Sequence, residues 1–466
     1  MSHRRPRRHR QHQRRHAVAD ALVVSAMVLL VTFAFLNSHA SHGTYTGHRI
    51  PAPDSVRSLQ ELAGPPGPVE RMRAFHAAWV AIGDAQLAAH EAVPEVPWGE
   101  HGLADVQILW SMIRWDASRS RYVADLANGN LAILTLDPPM QQRMERVMRN
   151  HTEAGEAAVA IDPQTGRVLA LLDDRSSDLV PGGLARRNYA WAASTYKVIT
   201  GAALLEAGVI TPQTQTCIHG GGDGFDETLL EDNATLDTLC ISFTRAMALS
   251  ANVVFGRHAD RHLTRDQLLG ISNRFGFNTR IPFEMLVEPS IAELPRERLA
   301  FAQAAAGFRH VTMSPLHGAL IQAAIANDGL MMVPTIVESI QDRRGQTIYE
   351  HRPAEWRQVI EPAIASQLLE TQSTTCTNGT ARAQFAQRPG WPAAITVYGK
   401  TGTLANRLLD GTLPPDVFTY SWFTGVGERD GRRLAVSALA VQNPSWQIKG
   451  AYLASELVLA GLPANR

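Results

Sequence analysis

Lysine is nearly missing from this chain. Of 44 basic residues in 466 positions, 41 are arginine, and only Lys197, Lys400 and Lys449 are lysine. Cysteine is as scarce, and Cys217, Cys240 and Cys376 allow at most one intrachain disulfide. Aromatic residues make up only 7% of the chain, but hydrophobic residues reach 45%, which excludes a disordered polymer and supports packed cores in two or three domains. No internal repeat or long low-complexity tract interrupts residues 131–466. The formal net charge is zero, and this hides an asymmetry.

The opening "MSHRRPRRHRQHQRRH" carries seven arginines and no acid, which taken alone would suit nucleic acid or a solvated tail. The adjoining residues favour neither. Residues 17–36, "AVADALVVSAMVLLVTFAFL", form an apolar run that as a helix spans roughly 30 Å, the hydrocarbon thickness of a bilayer. Asp20, its one ionised residue, falls near the end where a carboxylate still reaches water. Arginines directly ahead of such a run orient its N-terminus to the cytoplasm, so residues 1–16 read as a cytoplasmic tail and 17–36 as a transmembrane helix. A cleaved signal peptide is the competing reading, with "SHA" at 38–40 as a small-x-small site. Either way the rest of the chain lies outside the cytoplasm.

Cys217 and Cys240 bracket a segment rich in Gly, Asp and Thr, and a disulfide there suits an oxidising compartment. Two buried thiols are the alternative, and Cys376 is left over. Residues 37–130 begin with the Pro/Gly-rich "GPPGPVE" and then show helical spacing. Met72, Phe75, Trp79 and Ile82 form one apolar stripe, and Val106, Leu109, Trp110 and Ile113 form a second. The region reads as a small helical spacer. It lacks clustered acids or metal-type ligands and receives no chemistry.

From Leu131 the texture changes. "LAILTLD" reads as a strand, and Asp137 followed by Pro138 opens a helix with Met140, Met144 and Met148 on one face. "EAAVAIDPQTGRVLALL" is two apolar runs joined by a turn, hence a hairpin. Strands return in "TYSWFTGVGE" and "RLAVSALAVQ", ahead of the helix "AYLASELVLAG". Strands at both ends with helices between predict one antiparallel sheet whose first and last segments meet.

The chemistry starts at "STYK". On a helix, Ser194 and Lys197 lie three residues apart on one face. A serine hydroxyl needs a neighbour to take its proton, and lysine can do so if burial and nearby positive charge lower its pKa. Arginine keeps its proton, which is a physical reason for lysine here. "ALSANVVFG" adds Ser250 and Asn252 after a helical run, and "YGKTGTL" places Lys400, Thr401, Gly402 and Thr403 on an expected strand. Two of three lysines thus fall in short polar motifs, which scattered surface residues would not explain.

In this order, S-x-x-K, S-x-N and K-T-G resemble the penicillin-binding proteins, the serine D,D-transpeptidases, over residues 131–466. The likeness extends to "AAVAIDPQTGRVLAL" and "SPLHGALIQAAIANDG". It implies a mixed α/β fold, an antiparallel sheet of about five strands flanked by helices with an all-helical lobe. Ser194 would attack the penultimate D-Ala carbonyl of a D-Ala-D-Ala peptide, with Lys197 taking its proton. Ser250 would relay a proton to the departing amine, and Asn252 would hold Lys197 and the substrate amide. Lys400, Thr401 and Thr403 would bind the terminal carboxylate, Gly402 would let an extended peptide lie along the strand, and the N–H groups of Ser194 and Thr403 would form the oxyanion hole. The implied partners are peptidoglycan stem peptides, β-lactams, the inner membrane and a separate glycosyltransferase; no cofactor, metal or nucleic acid is expected.

Two departures limit the transfer. Ala192 and Ala193 stand where a Pro-Gly pair is common, and Gly307, Phe308, Arg309 and His310 replace a Gly-Gln-Gly stretch. Residues 37–130 also lack the length and acids of a glycosyltransferase domain, so the chain resembles a monofunctional, membrane-anchored transpeptidase. A serine β-lactamase and a non-catalytic penicillin sensor or scaffold are the alternatives. His258, Asp260, Arg261 and His262 read as a polar helix face, and Lys449 as a surface residue.

Overall fold

The structure, a computed structural model, describes residues 108–464 apart from 127–128, 152, 175, 178–179, 181, 222–224, 406–417 and 443–446. The apolar run 17–36 and the stripe from Met72 to Ile82 lie outside the described residues. Among the described residues no helix is long and apolar enough to cross a membrane.

From Leu109 on, the second stripe is not a helix, and its Val106 lies outside the described residues. Trp110–Met112 make a single 3-10 turn and the chain then enters strand β1 (Ile113–Asp116), which pairs with β2 (Arg121–Asp125). Isolated helical spacing misled because Leu109 and Trp110 remain half-exposed, so no buried stripe forms. The deciding signal is the turn, where the Asp116 carboxylate accepts from the backbone N–H groups of Ser118 and Arg119 and reverses the chain. Edge-to-face packing of Trp115 on Tyr122 closes this hairpin. In its described part the expected helical spacer is therefore β-structure: β1, β2 and β3 (Leu131–Leu134) share one sheet with β6 (Val337–Gln341) and β7 (Thr347–Glu350), in the order β1-β2-β3-β6-β7.

After β3, Asp137 caps helix α1 (Pro138–Arg149) by accepting from Met140 N–H at 3.0 Å. The expected hairpin comes next as β4 (Gly155–Ile161) and β5 (Val168–Asp174), its turn fixed by Asp162 accepting from Gln164 and Thr165 N–H. The chain then turns largely helical: α2 (Lys197–Glu206), α3 (Phe243–Leu249), α4 (Asn252–His262), α5 (Arg265–Arg274), α6 (Arg298–Ala305), α7 (Pro315–Ala326) and α8 (Pro362–Gln372). It ends in β8 (Thr396–Ala405), β9 (Thr419–Arg429), β10 (Arg432–Gln442) and helix α9 (Gly450–Gly461).

The central sheet has five antiparallel strands in the order β8-β9-β10-β4-β5, so its last strand in sequence, β10, pairs with its first, β4. Alternation along the strands feeds two cores. Ala157, Val159, Ala435 and Leu439 face the side covered by α7, while Ala158, Ala160, Val436 and Ala438 face α1 and α9. Met140, Met144 and Met148 join the second core as one face of α1. Helix α2 packs on α4, α5 and α8 beside the sheet, which leaves β8 as an open edge next to the start of α2.

Candidate active site

Ser194 sits in a 3-10 turn, Ala193–Tyr196, that runs straight into α2. Ala193 takes φ 51°, a left-handed conformation that costs an L-residue roughly 1–2 kcal/mol. The turn therefore keeps at Ala193 the backbone shape glycine would adopt freely. The conformation is tolerated because the turn is hemmed in on two sides. Behind it, an added Cβ on Gly307 would fall 2.3 Å from the Ala193 carbonyl oxygen and 2.8 Å from Ser194 Cα. In front, a Cβ on Gly402 would meet Ala192 O and Ala193 Cβ at 3.2 Å and Thr195 Cγ2 at 3.1 Å. The bare face of Gly402 thus receives the turn that carries Ser194.

Helical spacing brings Lys197 Nζ to 2.8 Å from Ser194 Oγ. The same nitrogen lies 2.8 Å from Asn252 Oδ1 and hydrogen-bonds the Ala306 carbonyl. Lys197 is completely buried. Burial first, and the charge of Lys400 second, hold its pKa well below that of a free lysine. Three polar neighbours suit a neutral amine well: two N–H groups donate to Asn252 Oδ1 and Ala306 O, and the lone pair accepts the Ser194 hydroxyl proton.

Asn252 opens α4, with Ser250 two residues earlier in a left-handed conformation (φ 60°) that breaks α3 from α4. Asn252 Nδ2 donates to Gly221 O at 3.1 Å, and the amide keeps a second N–H. Ser250 is half-buried at the break between the two helices.

Lys400, Thr401, Gly402 and Thr403 lie on β8 opposite Thr424, Phe423, Trp422 and Ser421. Lys400 is completely buried, donates to Thr401 O at 2.8 Å, and is pushed by burial down to about 7. A carboxylate arriving from solvent would meet the half-buried Thr401 and the exposed Thr403 before the ammonium. Thr401 Oγ1 also pairs with Thr380 Oγ1 at 2.6 Å.

The remaining sequence candidates fall elsewhere. Asp260 and Arg261 are tied into ion pairs with Arg298 and Asp232, and His258 bonds Thr216 Oγ1. Lys449 is exposed ahead of α9. Cys217 and Cys240 are disulfide-bonded and Cys376 is a buried free thiol. Sequence reasoning missed the Ala306 carbonyl and Gly221, since a backbone oxygen leaves no mark in the residue code. Gly307 was noticed only as an oddity of its stretch.

A family model described as the penicillin binding protein transpeptidase domain matches residues 156–458, from β4 to the last helix. The chain belongs to this family. Similar proteins include the peptidoglycan D,D-transpeptidase PbpA of Mycolicibacterium smegmatis, 28% identical over 342 residues covering 66% of this chain and 66% of that protein. The chain thus spans just under two thirds of that relative's length. Among solved structures, the D,D-transpeptidase domain of a peptidoglycan glycosyltransferase from Eggerthella lenta is 25% identical with a TM-score of 0.57, covering 72% of this chain and 83% of that one. The imipenem acyl-enzyme complex of penicillin-binding protein A from Mycobacterium tuberculosis shares the fold, at 24% identity and a TM-score of 0.59 over 72% of this chain and 80% of that one.

Proposed function

We propose that the chain is a membrane-anchored peptidoglycan D,D-transpeptidase that acylates Ser194 with D-Ala-D-Ala peptides, cross-links them, and is trapped by β-lactams. The observation that carries the reading is a buried Lys197 nitrogen at 2.8 Å from both Ser194 Oγ and Asn252 Oδ1. Lys197 takes the Ser194 proton as Oγ attacks the penultimate D-Ala carbonyl carbon. The N–H groups of Ser194 and Thr403 receive the developing oxyanion. As the C–N bond to the terminal D-Ala breaks, Ser250 passes a proton to the leaving amine. An acceptor amine then attacks the acyl-enzyme and frees Ser194; water in its place gives a carboxypeptidase. The substrate runs antiparallel or parallel along the open β8 edge, with its carboxylate at Thr401 and Thr403 and the Lys400 charge behind them.

The basic arm of residues 1–16 and the apolar run 17–36 support a single-pass anchor in the inner membrane, with the catalytic domain outside the cytoplasm and a separate glycosyltransferase supplying glycan strands. A reporter fused after Arg466 is expected to be active only outside the cytoplasm, and a mature chain beginning near Ser41 would replace the anchor with a cleaved signal.

The deciding experiment mixes the protein with labelled penicillin, locates the adduct by peptide mass spectrometry and times its release. A Ser194 adduct lasting many minutes is expected. Rapid turnover of penicillin would identify a β-lactamase, and the absence of any adduct a non-catalytic scaffold.

A further inference from the structure

Asn252 depends on a loop that is far from self-supporting. Its Oδ1 accepts from Lys197 while its Nδ2 donates to the Gly221 carbonyl at 3.1 Å, so both contacts set which end of the amide is oxygen. With that carbonyl displaced, the amide loses one of the two contacts that fix which end is oxygen, and a flipped amide would present N–H donors to the Lys197 nitrogen. Gly221 follows a two-stranded ladder, Gln215–Ile218 against Leu239–Ser242, which stands apart from both large sheets. Such a lone pair of strands is marginal in water.

Three devices hold it. Cys217 is directly opposite Cys240 in the register and bonded to it, four residues before Gly221. Arg257, on the same helix as Asn252 and 1% exposed, donates to Cys217 O, Leu229 O and both oxygens of Asp237. Gly221 itself takes φ 78° and is pressed onto α4 so closely that a Cβ would fall 2.4 Å from Val253 Cγ2. The disulfide and Arg257 therefore hold the strand that leads to Gly221 against α4, the helix that carries Asn252.

We infer that the Cys217–Cys240 disulfide and the Arg257–Asp237 pair are positioning elements for acylation, holding the Gly221 carbonyl where it orients Asn252 toward Lys197. The inference rests on the transpeptidase reading of the site. It makes acylation sensitive to reduction. A dithiol such as dithiothreitol gives two electrons and two protons to the S–S bond, leaving two cysteine thiols and the oxidised cyclic disulfide of the reagent.

The test compares four samples of the full chain: oxidised wild type, wild type in dithiothreitol, the Cys217→Ser/Cys240→Ser double variant, and Arg257→Lys with its disulfide intact. Thiol titration of the denatured wild type should count one thiol before reduction and three after. Thermal unfolding checks that each sample is native at the assay temperature. The second-order rate of penicillin acylation is then measured across pH. The expected result is a loss of about tenfold, the worth of one hydrogen bond to the site, in the three altered samples. Their acid limb should also move to lower pH, because Lys197 loses an acceptor that favours its charged form. A change of stability alone would leave that limb in place. Folded samples with unchanged rate and unchanged limb would overturn the inference, and if the reduced forms do not fold, Arg257→Lys decides it. Failure of the oxidised wild type to acylate would instead reject the transpeptidase reading.

Discussion

Gly307 lies directly behind Ser194, close enough that a single added methyl would stand 2.8 Å from the serine Cα and 2.3 Å from the preceding carbonyl oxygen. Its neighbour Ala306 supplies the carbonyl that Lys197 hydrogen-bonds. The end of α6 is thus the back wall of the nucleophile turn, and Thr200 ties the same wall to α2 by donating to Ala305 O at 2.7 Å. Gly307→Ala should cut penicillin acylation by more than about a hundredfold. The obstacle is backbone, which cannot rotate aside, and φ 81° is strained for alanine as well. Acylation kinetics with a melting curve checks this; near-normal rates in a folded variant would mean the wall can yield.

Lys197→Arg should abolish acylation, although charge and approximate length are kept. Arginine stays protonated and cannot accept the Ser194 proton, and its planar fork does not fit a cavity closed by Asn252 and Ala306. Lys449→Arg, at an exposed position, should alter stability by no more than about 0.5 kcal/mol and leave acylation intact. Rates for the two variants side by side test the proton-acceptor role, and a folded, active Lys197→Arg protein would end it.

The pH dependence of acylation should be bell-shaped. The rate rises with pH as Lys197 loses its proton, and falls as pH passes about 7 because Lys400 then loses the charge that draws the carboxylate and holds Lys197 neutral. The two lysines titrate as a pair, so the limbs belong to the pair rather than to either residue. Lys400→Arg keeps the charge at all these pH values; its maximum should be lower but the alkaline limb should vanish. A descending limb that survives in Lys400→Arg would place that titration elsewhere.

Glu156 is 2% exposed at the start of β4, with neither carboxylate oxygen hydrogen-bonded among the described residues, and desolvation followed by the charges of Glu153 and Asp174 raises its pKa to about 8. A raised carboxyl binds its proton more tightly in the folded state. Its contribution is fully present below about 4.5, the unfolded value, and is lost as pH rises toward 8. Glu156→Gln, neutral throughout, should therefore gain stability relative to wild type between about pH 5 and pH 8. Melting temperatures of both proteins across that range measure it; parallel curves would show that Glu156 ionises without cost.

The sheet and its chemistry were legible for different physical reasons. The apolar runs of β4, β9 and β10 and the Asp137 cap are local patterns, and each forms where the sequence places it. Ser194 and Lys197 could be paired because helical spacing alone puts them on one face. The disulfide could be suspected but not assigned, since spacing does not bring two sulfurs together. Residues 109–113 misled because apolar positions at helical spacing say nothing about whether a core exists to bury them.

By itself the sequence determined the kinds of group available: one serine and one lysine a helical turn apart, a lysine on a strand, and an apolar run of bilayer length. Only the tertiary structure decided what those groups feel. Burial of Lys197 and Lys400, the Ala306 carbonyl, the Gly307 wall and the Gly221 acceptor all come from segments between about 30 and 200 residues away in sequence. A proton acceptor is made by desolvation and by neighbouring charge, and both are properties of the space around an atom, which no local pattern of residues encodes.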